Sequence, residues 1–367
     1  MQSLADITAR DRALEARSDF LRYAWTLLRC ADGAMEPARL AEREFGQSSP
    51  NILRVLKAAV SAGTTTSSGE SLAPYRQLTG EWVSLLQSRT LLGRIPFVKV
   101  DFDTRTFSGD PPTGAWVAEG FSIPVSRMNF NVAQLPRNKI AGIAVFTDEQ
   151  VATFTPATAA AINRGLLDSC GRFSDIALLD PEISAVTGKN PASLTNGISA
   201  TPTTGSTESA VTNDIKNLLA THIAAGADLS ELVFALHPTT ATYLSTLLTS
   251  AGIRAFPNLG ARGGDIFGIP CLTSFGARTL GSPSDRILAL INPRGVTVAD
   301  NGELEISASK ETAVQMDDAP TNKSTATATG TSLVSMFQAN STALKFVRRL
   351  NFSRVIDGAI SYLRVSY

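Results

Sequence analysis

Through residues 1–60, apolar positions recur at helical spacing. Ile7, Leu14, Leu21, Trp25 and Leu28 alternate with charged residues, which predicts an amphipathic helix that ends before Gly33. A second short piece opens near Pro37 and runs to Phe45-Gly46. A third is predicted from Ser48 or Ser49, with Pro50 in a first-turn position and Ile52, Val55, Leu56 and Ala59 as its apolar face. None of these pieces carries enough apolar surface to fold alone, so they predict an arm, Leu4 to Val60, that lies against neighbouring molecules.

The polar run Gly63 to Ser71 is the clearest boundary in the chain. Beyond it the period changes to two. Val98, Val100 and Phe102 fall on one face, and Lys99, Asp101, Asp103 and Arg105 on the other, as in a half-exposed strand. Ser108 to Gly114 reads as a loop tip, and an extended segment returns from Ile123 to Gln134. The result is a long hairpin with little core of its own, which must rest on something else.

Thr155-Pro156 is a cap followed by proline at the first helical turn. The helix it opens is predicted to run to Leu179, with Ala159, Ile162, Leu166, Cys170, Phe173 and Ile176 as its apolar stripe. At about 1.5 Å per residue it would span roughly 36 Å before Asp180-Pro181 stops it. Residues 187–213 read as loop. Short elements then alternate: a helix at 211–225, a strand at 232–236, a helix at 239–250, and strands at 269–273 and 287–291. A second polar stretch covers 317–332, and two extended segments, 344–352 and 359–367, close the chain.

Composition narrows the classes. Lys+Arg and Asp+Glu are 33 each among 367 residues, so there is no basic excess of the kind nucleic-acid binders usually carry. Cys30, Cys170 and Cys271 are far apart and odd in number, which fits neither a disulfide framework nor a zinc site. The start, Met1-Gln2-Ser3-Leu4-Ala5-Asp6, lacks the basic and apolar run of a signal peptide. The longest apolar runs, such as Ile140 to Phe146, are too short to cross a bilayer, and a soluble protein without a membrane partner is expected.

Candidate chemistry is thin. His222 falls on the apolar stripe of its helix and His237 ends a strand before Pro238; both read as structural histidines. No Gly-x-Ser-x-Gly elbow occurs, and Gly263 to Gly268 reads as a turn between strands, without phosphate-cradle spacing. Asp317-Asp318 reads as a solvated loop. No catalytic, cofactor-binding or metal-binding residue is expected. Trp25 reads as an anchor of the arm on a neighbour or on its own core. Trp116 follows the hairpin tip, where a monomer would leave it exposed, and this suggests a contact with another subunit. An arm and a hairpin without cores, one very long helix and no catalytic constellation are parts of a subunit that interlocks with copies of itself.

At this point a resemblance emerges. Gly114-Ala115-Trp116-Val117-Ala118-Glu119-Gly120, followed by Ile123-Pro124-Val125-Ser126, resembles the hairpin of tailed-bacteriophage major capsid proteins with the Hong Kong 97 fold. Leu135 to Glu149 is similar to that family's lead into its spine helix. Asp175 to Asp180, Asn190-Pro191 and Asn196-Gly197-Ile198 are similar to its helix end and following loop, and Gly264 to Pro270 to one of its turns. Met336 to Ser341 and Phe346 to Leu350 resemble its last β-segment. The resemblance covers residues 75–367.

It implies an α+β fold with four parts. They are an N-terminal helical arm and linker (1–72), a peripheral domain (73–196 and 304–367), an axial domain (197–303), and the E-loop hairpin (98–136). The spine helix would occupy 156–179. It further implies a structural role: hexamers and pentamers of an icosahedral phage head around double-stranded DNA, located in the virion and assembled in the host cytoplasm. The implied partners are other copies of the chain, a portal protein, a cement or decoration protein, and DNA held non-specifically. Trp25, Phe107, Trp116, Glu119, Phe121 and Arg127 are the expected inter-subunit contacts. Some family members weld subunits through an E-loop lysine, an asparagine and a glutamate. Here residues 101–138 contain no lysine and residues 312–367 no glutamate, so a non-covalent shell is expected. The alternatives are an encapsulin-like compartment shell and a hydrolase using His222 or His237.

Overall fold

A computed structural model describes residues 19, 22–31, 35–45, 52–53, 55–56, 83–109, 115–117, 119, 122, 130–152, 156–224, 226, 229–282, 284–317, 333–356 and 358–367. In chain order the strands are β1 (Val98–Val100), β2 (Arg105–Gly109), β3 (Phe130–Gln134), β4 (Lys139–Thr147), β5 (Val233–Leu236), β6 (Gly264–Ile266) and β7 (Ile269–Thr273). They continue with β8 (Arg286–Ile291), β9 (Val296–Ser309), β10 (Ala313–Gln315), β11 (Leu333–Ser335), β12 (Ser341–Arg354) and β13 (Ile360–Val365). The chain divides into two compact units, and the division falls within the helix Pro156–Leu179, β9 and β12. The fold class is α+β.

The first unit draws on residues 1–85, 140–167 and 302–348. Helical residues 22–29 place Leu28 in a small core with Val151 and Leu344, flanked by Phe146, Ile306 and Ala308. The arm therefore packs on a surface of its own chain at this point. Helical periodicity identifies an apolar face but not which chain covers it. Asp148 ties the unit together. Its carboxylate accepts from the Thr342 hydroxyl (3.0 Å) and the Lys310 ammonium (3.2 Å), while its own N–H donates to the Asn340 carbonyl (2.9 Å). β10 and β11 form a two-stranded antiparallel sheet on either side of the polar stretch expected at 317–332; residues 318–332 lie outside the described residues.

The second unit draws on residues 86–139, 168–301 and 349–367. Its centre is a five-stranded sheet in the order β13-β8-β5-β7-β6. β5 runs parallel to β7 and antiparallel to β8, which is antiparallel to β13. β5 (VFAL) is buried at every residue and β8 (RILALI) at all but its first, as a central strand covered on both faces must be. Val211, Ile215 and Leu218 of helix Glu208–Ala224, and Leu244 of helix Pro238–Thr246, pack into one core with Phe234, Leu236, Leu288, Leu290 and Leu363. The edge strand β13 lies beyond residues 197–303, so this sheet takes a strand from outside that stretch. β1 pairs in parallel with the start of β9, from Val98↔Thr297 to Val100↔Ala299.

Most expected elements appear where the periodicity puts them, and four depart from it. The alternation from Phe97 to Arg105 is broken: β1 ends at Val100, Phe102-Asp103 turns, and β2 begins at Arg105. Helix Pro238–Thr246 stops four residues short of its expected end at 250. Gly264–Ile266 is a strand joined to β7 by the two-residue turn Phe267-Gly268, both at positive φ (52° and 80°), which matches the right-handed twist of a hairpin. Phe173, expected on the buried stripe of the long helix, is 50% exposed. The helix buries Cys170 and Ile176 as expected, and with them Ser174, Asp175, Leu178 and Leu179; on that side Asp175 accepts the Ser274 hydroxyl of a distant loop. The side chains of Ala159, Ile162 and Leu166 lie outside the described residues.

Gly276 marks the closest of these approaches. A Cβ built there would meet the Asp175 Cβ at 2.5 Å, the Arg172 carbonyl at 2.8 Å and the Ile176 nitrogen at 2.9 Å. Gly276→Ala is therefore expected to destabilise the chain by about 1–3 kcal/mol in urea unfolding. An unchanged midpoint would show that the loop does not rest on the helix.

Candidate assembly surface

The hairpin predicted at 98–136 is rooted by a small set of polar bonds. Asp103 adopts φ 60°, a conformation tolerated by aspartate better than by most side chains. This turn brings its N–H to the Leu135 carbonyl (3.0 Å) and its carboxylate to the Arg137 guanidinium (3.3 Å). From the root, β2 and β3 pair antiparallel from Arg105↔Gln134 to Gly109↔Phe130. The returning chain is held by β12: Asn351 donates to the Pro136 carbonyl (2.5 Å), and the Leu350 N–H donates to the Asn138 carbonyl (3.0 Å). Leu135 and Asn138 are buried at this anchorage. The root is fixed by core contacts, and the strands leaving it pair with each other.

The expected contact residues fall in different settings. Trp116 is fully exposed, with Val117 and Glu119 exposed beside it. An unshielded indole at the end of a hairpin is a strong mark of a surface awaiting a partner. Phe107 pairs through its backbone with Val132. Phe121 and Arg127 lie outside the described residues. Trp25 is half-buried, its ring edge-on to Phe45 (5.4 Å between centroids) and beneath the Arg29 guanidinium (5.1 Å).

A second feature was not legible in the sequence. Asp175, on the long helix, is 1% exposed. One carboxylate oxygen accepts the Leu91 N–H (2.9 Å) and the other the Ser274 hydroxyl (2.5 Å). Ser274 Oγ in turn accepts the Gly276 N–H (3.0 Å). Burial pushes the Asp175 carboxyl up to about 7, against the lowering effect of Ser274, the backbone N–H groups of Leu91 and Leu92, and Arg94. One turn later Asp180 accepts the N–H groups of Leu280 (2.8 Å) and Glu182 (3.0 Å). Two carboxylates near the helix end thus hold the 274–282 loop through its backbone and the Ser274 hydroxyl. Only the spacing of an acidic residue within an apolar stripe could have hinted at this.

The histidines are structural. His222 is completely buried, with Nε2 placed 3.2 Å from the Leu290 carbonyl and 3.1 Å from Ser361 Oγ; burial lowers its pKa. His237 caps the helix Pro238–Thr246, its Nδ1 accepting the Thr239 N–H (3.2 Å). Burial first, then Arg286 and Arg278, push its pKa down to about 4. The three cysteines are buried thiols, and Cys271 is pushed up to about 12 by burial. Among the described residues no group of three or more His, Cys, Asp or Glu side chains could hold a metal ion. No described helix is long and apolar enough to cross a membrane.

Comparison with known proteins gives two kinds of match. The chain is 33% identical over 323 residues to a capsid polyprotein of Pseudomonas phage PAJU2, covering 84% of this chain and 47% of that protein. The chain thus spans about half the length of this relative. In structure it is similar to a chain of Gordonia phage Cozz (TM-score 0.51, 15% identity, 77% of this chain and 87% of that one). It is similar also to a chain of Mycobacterium phage Ogopogo (TM-score 0.51, 16% identity, 75% and 92%). These structural likenesses bear on the fold alone. No family model matches the chain.

The buried carboxylate sets a pH dependence. The folded pKa of Asp175 lies above its ordinary 3.8, so the native state binds the extra proton, and its stability falls as pH rises from about 4 to about 7. His222 and His237, lowered in the fold, act in the opposite direction below their ordinary pKa. Comparison with Asp175→Asn isolates the carboxyl. Between pH 5 and pH 8 the wild type should lose on the order of 1–3 kcal/mol relative to the variant in urea unfolding. Parallel pH profiles would contradict the assignment.

Proposed function

From a chain that has the Hong Kong 97-like fold and is a relative of phage capsid proteins, we propose a structural, non-catalytic subunit of an icosahedral tailed-phage head. Copies form hexamers and pentamers, and the closed shell encloses double-stranded DNA. The observation that carries this reading is the hairpin: its root is bonded into the second unit, while Trp116 at its far end is bare. A strap of this kind has a use only when a neighbour lies beneath it. Portal and cement or decoration proteins would complete the head in the virion, assembled in the host cytoplasm. Contact with DNA is non-specific and weak, in keeping with equal numbers of acidic and basic residues.

The shell is held without covalent links between subunits. The hairpin lacks a lysine between 101 and 138, and residues 312–367 lack a glutamate to act as base. The phage capsid polyprotein relative favours a DNA-filled head over an encapsulin-like compartment. Purified native particles should carry nuclease-protected DNA and, boiled in detergent, release this subunit as one uncrosslinked band. A ladder of covalent oligomers would overturn the non-covalent shell, and particles holding protein cargo without DNA would overturn the phage head. Trp116→Ala should leave the unfolding midpoint of the subunit within about 0.5 kcal/mol of wild type while lowering particle yield. Unchanged yield would remove the hairpin tip from the assembly contacts.

A further inference from the structure

A cationic surface in the second unit has no role in the account so far. Four arginines surround the loop 273–278. Arg94 donates to the Thr273 carbonyl (3.1 Å), and the Arg172 guanidinium lies over the Phe275 ring (5.1 Å to its centroid). Arg278 and Arg286 stand opposite each other across an antiparallel bridge, a like-charge pairing that is unfavourable on its own. Arg286 donates to the Ser366 carbonyl (3.3 Å), but the Nε atoms of Arg278 and Arg286 are both buried without a hydrogen-bond partner. Among the described residues none of the four forms an ion pair with a carboxylate. Two acids close to this loop are otherwise engaged: Asp285 pairs with Arg364, and Asp175 bonds to Ser274 and Leu91. His237, edge-on to Phe275 at 5.6 Å, is uncharged near neutrality. In the midst of these cations Phe275 is 55% exposed.

The chain holds a complementary surface. From residue 106 to residue 126 the hairpin carries Asp110 and Glu119 and no lysine or arginine. Glu119, Trp116 and Val117 are all exposed. An acidic, aromatic tip matches a cationic loop with an exposed phenyl ring in both charge and apolar character. Arginine beside an indole adds a cation–π attraction. DNA would satisfy the charges but would leave the Trp116 indole bare.

We propose that the loop 273–278 is the landing site for the hairpin tip of a neighbouring copy, with Glu119 set among Arg94, Arg172, Arg278 and Arg286 and Trp116 against Phe275. This rests on the shell-subunit reading and names the contact that the strap makes. Pairing across the interface supplies the carboxylate that the arginine pair lacks within its own subunit, and removes two large aromatic surfaces from water together.

Charge exchange tests it. Glu119→Arg lies on an exposed tip and should leave the melting temperature of the subunit unchanged. It should lower particle yield by at least about tenfold, since like charges at an interface cost several kcal/mol. Arg172→Glu combined with Arg278→Glu should do the same, and joining all three changes should restore particles. Normal assembly of Glu119→Arg, or failure of the triple variant to recover when its subunit folds, would overturn the landing site. If the arginine-side variants do not fold, a Trp116→Cys, Phe275→Cys double variant decides: oxidised particles should show disulfide-linked oligomers, and their absence would overturn it. Variants that form particles normally but lose packaged DNA would assign the arginines to nucleic acid. Absence of particles from the wild type would sink the shell reading itself, which separates the two failures.

Discussion

The carboxylate of Asp175 is the constraint on which the second unit depends. It is nearly sealed from water, yet it holds two segments distant in sequence, Leu91 through its N–H and Ser274 through its hydroxyl. A buried carboxyl is costly unless such partners satisfy it; here Leu91 and Ser274 do so, while burial raises its pKa to about 7. Its bond to Ser274 brings the loop so close that only glycine fits at 276. Asp180 repeats the arrangement with Leu280 and Glu182. The long helix therefore serves as a rigid post, and the loop carrying Phe275, Arg278 and the approach to β8 is positioned by it.

The hairpin is built on the opposite principle. Its base is fixed by Asp103, Arg137 and Asn351, but past the five paired positions of β2 and β3 it offers water a bare indole. A single chain has no use for such an element, and an assembly does. The arm's first helix and the hairpin differ in this respect: Leu28 is buried within the chain, whereas Trp116 is exposed. Rigid units joined by elements that reach outward suit a shell whose subunits must close around one another.

Much of this was readable from residue order. Proline at 156 and the Asp180-Pro181 stop bounded the long helix because backbone geometry at those residues admits little else. The short apolar runs of β7 and β8 were legible because such a run bounded by turn residues marks a buried strand. The alternation before Arg105 misled, since nothing in the period reveals that Asp103 turns. The stripe that included Phe173 misled for another reason: the buried face of that helix carries Asp175, which bonds to Ser274 in a loop about a hundred residues away, and periodicity counts apolar positions only. The arginine cluster was invisible for the same cause. Arg94, Arg172, Arg278 and Arg286 are far apart in sequence, and only the sheet and the helix bring them to one loop. The hairpin tip, with Trp116 and Glu119, was readable because its role depends on what its own chain leaves uncovered.

The account holds that these surfaces are completed only by other copies. The mass distribution of the purified chain in solution, measured by sedimentation velocity over a concentration series, tests that claim most directly. Capsomer-sized and shell-sized species that grow at the expense of the 38.8 kDa subunit are the predicted result. A folded chain that stays monomeric at every concentration would contradict it.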